Sequence, residues 1–135
     1  MGRATVVGLA VFVVAVIAFA TSIGKAQGER RITGTYTDMY YNDEGGDLLG
    51  EELKIVYTDK GYQGALQFAD GGAGPLIIVN IRIDGDKIAF TVPDSSPDAS
   101  FFSGTIKDGV IHGEFDYKAG GVETVTLKKG KSYWD

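Results

Sequence analysis

The sequence predicts an all-β protein: an eight-stranded antiparallel up-and-down barrel over residues 27–135, preceded by an N-terminal signal helix over residues 1–26. Three observations carry that reading. Eight segments alternate apolar and polar residues at the period of a strand. The joints between them are rich in Asp-Gly and Gly-Gly, which suit tight turns between antiparallel neighbours. An apolar–Xaa–Gly–Xaa–apolar pattern also recurs four times.

The N-terminal segment has the layout of an export signal. Arg3 and the chain amine form a positive start, residues 6–20 (VVGLAVFVVAVIAFA) are uninterruptedly apolar, and small residues at Gly24 and Ala26 mark a cleavage site after Ala26. The alternative is an uncleaved anchor, because residues 4–23 come close to the length that spans a hydrocarbon core of about 30 Å. Lys25, Arg30 and Arg31 then fall on the side that the positive-inside tendency disfavours for an N-in anchor. The expected location is therefore exported, periplasmic or extracellular, with membrane attachment only if the segment is retained.

Without Arg3 and Lys25 the chain has 11 basic and 18 acidic residues, a formal charge of −7. That sign repels phosphate backbones, and no basic stripe of the kind a nucleic-acid binder needs is present. There are no cysteines, so no disulfide staples the domain and stability must come from a packed core.

The strands follow in order. ITGTYTDMYY (32–41), EELKIVYT (51–58), YQGALQFA (62–69) and PLIIVNIRI (75–83) form the first half. DKIAFTV (86–92), SFFSGTIK (100–107), VIHGEFDYK (110–118) and VETVTLKK (122–129) form the second. Alternation puts Leu53, Ile55 and Tyr57 on one inward face, and Ile88, Phe90 and Val92 on another. Phe102 and Ile106, Ile111, Phe115 and Tyr117, then Val125 and Leu127, continue the set. Gly34, Gly64, Gly104 and Gly113 share this inward parity. A glycine inside a strand weakens it, so its use marks a sharp bend or a close approach of another group. A small closed barrel needs both, because its strands coil strongly around an interior of alternating small and large residues.

In strand count, order and turn length the chain resembles the calycin group, the lipocalin-like and avidin-like barrels. Gly34-Thr35-Tyr36 stands where those families carry Gly-Xaa-Trp, and Tyr62-Gln63-Gly64 is similar to the aromatic-Xaa-Gly of the third avidin strand. Tyr36 replaces the tryptophan, Lys128 and Lys129 stand near the late arginine of lipocalins, and Trp134 is the only tryptophan. The resemblance implies the barrel and no particular ligand.

No constellation of catalytic residues stands out. His112 is the single histidine, and its parity points it outward with Glu114 and Asp116, so a role as haem ligand would need the opposite face. One histidine and no cysteine do not make a multi-ligand zinc site. Ser100, Ser103 and Ser132 lack a nucleophile elbow. The acidic stretch YNDEGGDLLGEE (41–52) reads as a long, hydrated mouth loop and possible lid; its spacing is not that of a calcium loop. Carboxylates such as Asp38 remain available to act in a pocket. The tail KKGKSYWD is expected to plug one barrel end with its aromatics.

The leading functional expectation is a non-catalytic binding protein holding a small apolar or aromatic ligand inside the barrel. Tyr36, Tyr57, Tyr62, Leu66, Phe90, Phe102, Phe115 and Tyr117 would line that site, with no metal or cofactor. The alternative is a structural or protein-interaction module with a filled core and no ligand.

Overall fold

A computed structural model describes residues Ile32–Asp135; the expected signal helix over residues 1–26 and residues 27–31 lie outside the described residues. The strands are β1 (Gly34–Thr37), β2 (Tyr40–Asn42), β3 (Asp47–Thr58), β4 (Gly61–Gly71) and β5 (Ile77–Asp84). They continue with β6 (Lys87–Val92), β7 (Ser100–Lys107), β8 (Val110–Tyr117) and β9 (Val122–Lys129). Each pairs antiparallel with its successor from β2 to β9, and β1 pairs with both β3 and β9. The sheet therefore closes.

Nine labelled segments make eight barrel strands, because β1 and β2 are two arms of one. Gly34 pairs with Ile55 and Tyr40 with Leu49, so one register runs along both arms. Against β9, the first strand pairs only at Tyr36–Lys129 and Thr37–Lys128, extended by a bond from the Gly130 N–H to the Thr35 carbonyl at 3.0 Å. This short seam joins the first and last strands and covers that part of their edges.

The hairpins have the turn chemistry expected of them. Lys107 pairs with Val110 around Asp108 and Gly109, whose φ values of 51° and 75° are those of a type I′ turn. That turn matches the right-handed twist of the strands it joins. Asp84 pairs with Lys87 around Gly85, which also has positive φ.

The inward faces pack into one cluster in which Tyr36, Leu53, Leu66, Val92, Phe102, Ile111, Phe115 and Leu127 are almost completely buried. Phe90 and Phe102 stack with centroids 4.8 Å apart, and Phe115 tilts against Phe102 at the same distance. Removing large apolar side chains of this kind from water is worth about 1.5–3 kcal/mol each, against the cost of ordering them.

Gly104 and Gly113 answer why the sequence uses glycine on this face. They lie directly opposite each other across β7 and β8. A methyl group on Gly104 would strike the His112 carbonyl oxygen, and one on Gly113 would come 2.7 Å from the Phe102 ring. The two backbones close on each other here, and only hydrogen leaves room.

Two expectations need correction. The stretch 41–52 is wall and not lid: Asp47 already begins β3, and Tyr40–Asn42 pairs with Asp47–Leu49 around a turn of residues 43–46. The tail does not plug a barrel end. It crosses the outer face of β3 and β4, where Ser132 Oγ and the Tyr133 N–H donate to the Glu52 carboxylate. The indole N–H of Trp134 reaches Gln67 Oε1 at 2.8 Å, and Glu52 and Gln67 are cross-strand partners on that face.

Candidate functional site at the barrel mouth

The alternation that builds the core does not stop where the apolar residues stop. Two residues before Leu53 on β3 comes Glu51, two before Val125 on β9 comes Glu123, and two beyond Tyr36 comes Asp38. All three have inward parity at the end of the barrel where β8 finishes with Tyr117. The lower interior is apolar and packed; this upper part is acidic.

Asp38 organises the junction. Its N–H donates to the Glu51 carbonyl at 3.1 Å, and its Oδ1 accepts the Glu51 N–H at 2.6 Å. A side-chain carboxylate thus does the work of a backbone carbonyl in the ladder. The chain turns away from β9 here, and Gly50 permits the crossing. It has a φ of 103°, and a Cβ on it would lie 2.7 Å from the Asp38 carbonyl oxygen. Among the described residues, Val122–Leu127 of β9 have a strand partner only on the β8 side.

A cavity of about 550 Å³ lies at this split. Asp38, Tyr40, Leu49, Gly50 and Glu51 form one side, Phe68, Ala69 and Asp70 of β4 another, and Asp98, Tyr117 and Glu123 complete it. Its floor is aromatic, since Phe68 meets Phe115 edge-on at 5.2 Å and Phe115 stacks with Tyr117 at 6.0 Å. Among the described residues the lining includes five acidic side chains and no lysine, arginine or histidine.

Glu51 is 6% exposed. Burial first, then hydrogen bonding with Glu123 and the charge of Asp38 and Glu123, together push its carboxyl up to about 9. A proton on one carboxyl of such a group lets it donate to the next, since ionised carboxylates only accept. Tyr117 donates to Glu123 Oε2 at 2.7 Å, and burial together with that carboxylate raises its phenol well above the ordinary range. Lys118 pairs with Asp94 at 3.0 Å, outside this group. Among the described residues, no three His, Asp or Glu side chains gather closely enough to hold a metal ion.

Of the residues picked out from sequence, Tyr117 lines the cavity. Tyr36, Leu66, Phe90, Phe102 and Phe115 lie in the packed core beneath it. Tyr57 and Tyr62 meet edge-on at 4.8 Å beside the β3–β4 turn at the opposite end, and Tyr57 is half exposed. Glu51, which the sequence placed in the acidic mouth stretch without a ligand role, lines the cavity together with Asp70, Asp98 and Glu123, which the sequence reading did not assign to a site. His112 stands on the outer wall with its Nδ1 2.6 Å from Thr126 Oγ1, above a shallow hollow that follows the glycine pair.

The geometry defines a closed, eight-stranded antiparallel β-barrel with an acidic mouth. No protein-family model, curated protein or solved structure matches the chain.

Proposed function

We propose that the protein is an exported, non-catalytic binding protein of calycin-like architecture that holds one small ligand at the barrel mouth. The observation that carries this reading is the 550 Å³ cavity, whose size falls in the range of about 300–1,000 Å³ typical of small-molecule sites. Its aromatic floor suits an apolar or aromatic body, and its polar rim suits a group that donates hydrogen bonds. The core aromatics below pack on one another, which favours the mouth over the barrel centre as the binding position.

A filled-core interaction module is the second reading, supported by Trp134, Leu76 and Ile78, which stand more than half exposed. The two readings part in one experiment. The protein recovered from an exporting host is analysed by native mass spectrometry for a bound small molecule. Any molecule found is titrated back while the side-chain NMR signals of Phe68, Tyr117 and Trp134 are followed. Ligand binding at the mouth shifts Phe68 and Tyr117 and leaves Trp134 unmoved. A response confined to Trp134 contradicts the proposal.

A further inference from the structure

The mouth combines two features that normally exclude each other: a deeply buried carboxyl and, among the described residues, no counter-cation. Glu51 on β3 is 94% buried on the same scale by which it is 6% exposed, and it is aimed into an open cavity. The groups that meet its side chain are carboxyls, Glu123 from β9 and Asp38 from the β1–β2 joint. Tyr117 from β8, Asp98 from the β6–β7 connection and Asp70 from β4 complete the titratable ring around the cavity. Every one is neutral or negative.

A buried carboxylate ordinarily needs a charged partner. Here a proton fills that place. A bound anion would meet five acidic groups, so the field excludes it. A divalent metal needs several oxygens converging on one point, and among the described residues no such convergence exists. An ammonium group asks less: three N–H donors, carboxylate acceptors within reach, and aromatic faces such as Phe68 and Tyr117 for the rest of the molecule.

We infer that the barrel mouth takes a small organic ammonium ion, with an apolar or aromatic body, in exchange for the proton that Glu51 shares with Glu123. This rests on the binding function proposed above and names its ligand class. The exchange balances: the protonated pair plus R–NH₃⁺ becomes two carboxylates bound to R–NH₃⁺, and one H⁺ leaves to solvent. The charge inside the cavity does not change, so the cation enters without an uncompensated charge being created in a dry site. The raised affinity of Glu51 for its proton sets the window, because below about 9 there is a proton to displace.

The test is calorimetry on the protein from an exporting host, in two buffers of unlike ionisation heat, from pH 6 to pH 8. The probes are 2-phenylethylamine and 1,4-diaminobutane as ammonium ions, 2-phenylethanol as the neutral isostere, and calcium chloride. The expected result is amine binding with one proton released per amine. Affinity then rises about tenfold per pH unit, as linkage to one proton requires. 2-Phenylethanol binds at least tenfold more weakly, and Glu51→Gln, checked for folding by circular dichroism, removes both proton release and pH slope. Glu123→Gln serves as a second variant with the same expected loss, and Glu114→Gln on the outer wall leaves binding unchanged. Amine binding with no proton released overturns the exchange. An alcohol that binds as tightly as the amine overturns the ligand class and leaves the binding function standing. Calcium binding lost in Glu51→Gln overturns the organic cation. Failure of all four probes, with no co-purified molecule, overturns this inference and the proposed function together.

Discussion

The Asp38 carboxylate accepts the backbone N–H of Glu51 at 2.6 Å, and the Asp38 N–H returns a bond to the Glu51 carbonyl at 3.1 Å. One aspartate therefore keeps two strands in register while its own strand bends away from β9. The same contact fixes the backbone from which the Glu51 side chain enters the cavity. Wall geometry and site chemistry meet at this pair.

Asp38→Ala removes the acceptor and leaves the Glu51 N–H unpaired in a half-buried position. A loss of about 1–3 kcal/mol is expected. Urea denaturation measures it as a lower midpoint at unchanged slope. Asp38→Asn keeps an oxygen acceptor and loses less.

Glu51 makes stability depend on pH in a predictable direction. Its carboxyl titrates higher in the fold, at about 9, than the ordinary 4.5 it has when unfolded. Between those values the native state binds the extra proton, so this contribution is complete below about 4.5 and is lost as pH rises through about 9. Melting curves from pH 5 to pH 10 should show Glu51→Gln gaining on the parent protein as pH increases. A constant difference between the two would mean that Glu51 is ionised throughout.

Gly104→Ala and Gly113→Ala each force a methyl group against the backbone of the facing strand. Overpacking of this kind costs about 1–3 kcal/mol or more, read as a lower melting temperature. Gly72→Ala provides the control, because a methyl group there meets open space, and should stay within about 0.5 kcal/mol of the parent.

Removing residues 131–135 takes away the two donors that cover Glu52 and the bond from Trp134 to Gln67. The barrel should keep its far-ultraviolet circular dichroism and lose about 1–2 kcal/mol of stability. Gln67→Ala in the intact protein should shift the fluorescence of Trp134, the one tryptophan.

The fold was legible because local signals agreed with one another. Ser100–Lys107 and Val122–Lys129 have the same limits in sequence and structure, and Asp108-Gly109 forms the turn its composition requires. The inward glycines were read as a sign of a sharp bend or a close approach, and at Gly104 and Gly113 a close approach of the facing backbone is found. The joint at Asp38 was not legible, since a side chain replacing a backbone acceptor leaves no periodic trace. The stretch 41–52 looked like loop because Gly45, Gly46 and Gly50 sit among acids, yet Asp47–Glu52 pairs along β4 and β2. The inward position of Glu51 and Glu123 at the mouth was missed for a different reason. Inward parity was followed only through apolar residues, although Glu51 and Glu123 continue it by one step beyond Leu53 and Val125. Charge in an inward position is itself a signal, because the cost of burying it must be met by a partner, a proton or a ligand.

The most direct test of the protonated mouth is a carbon-13 NMR titration of the Glu51 carboxyl, assigned by its disappearance in Glu51→Gln. A midpoint near 9 is the predicted result. A midpoint in the ordinary carboxylate range, about 4–5, would contradict the account.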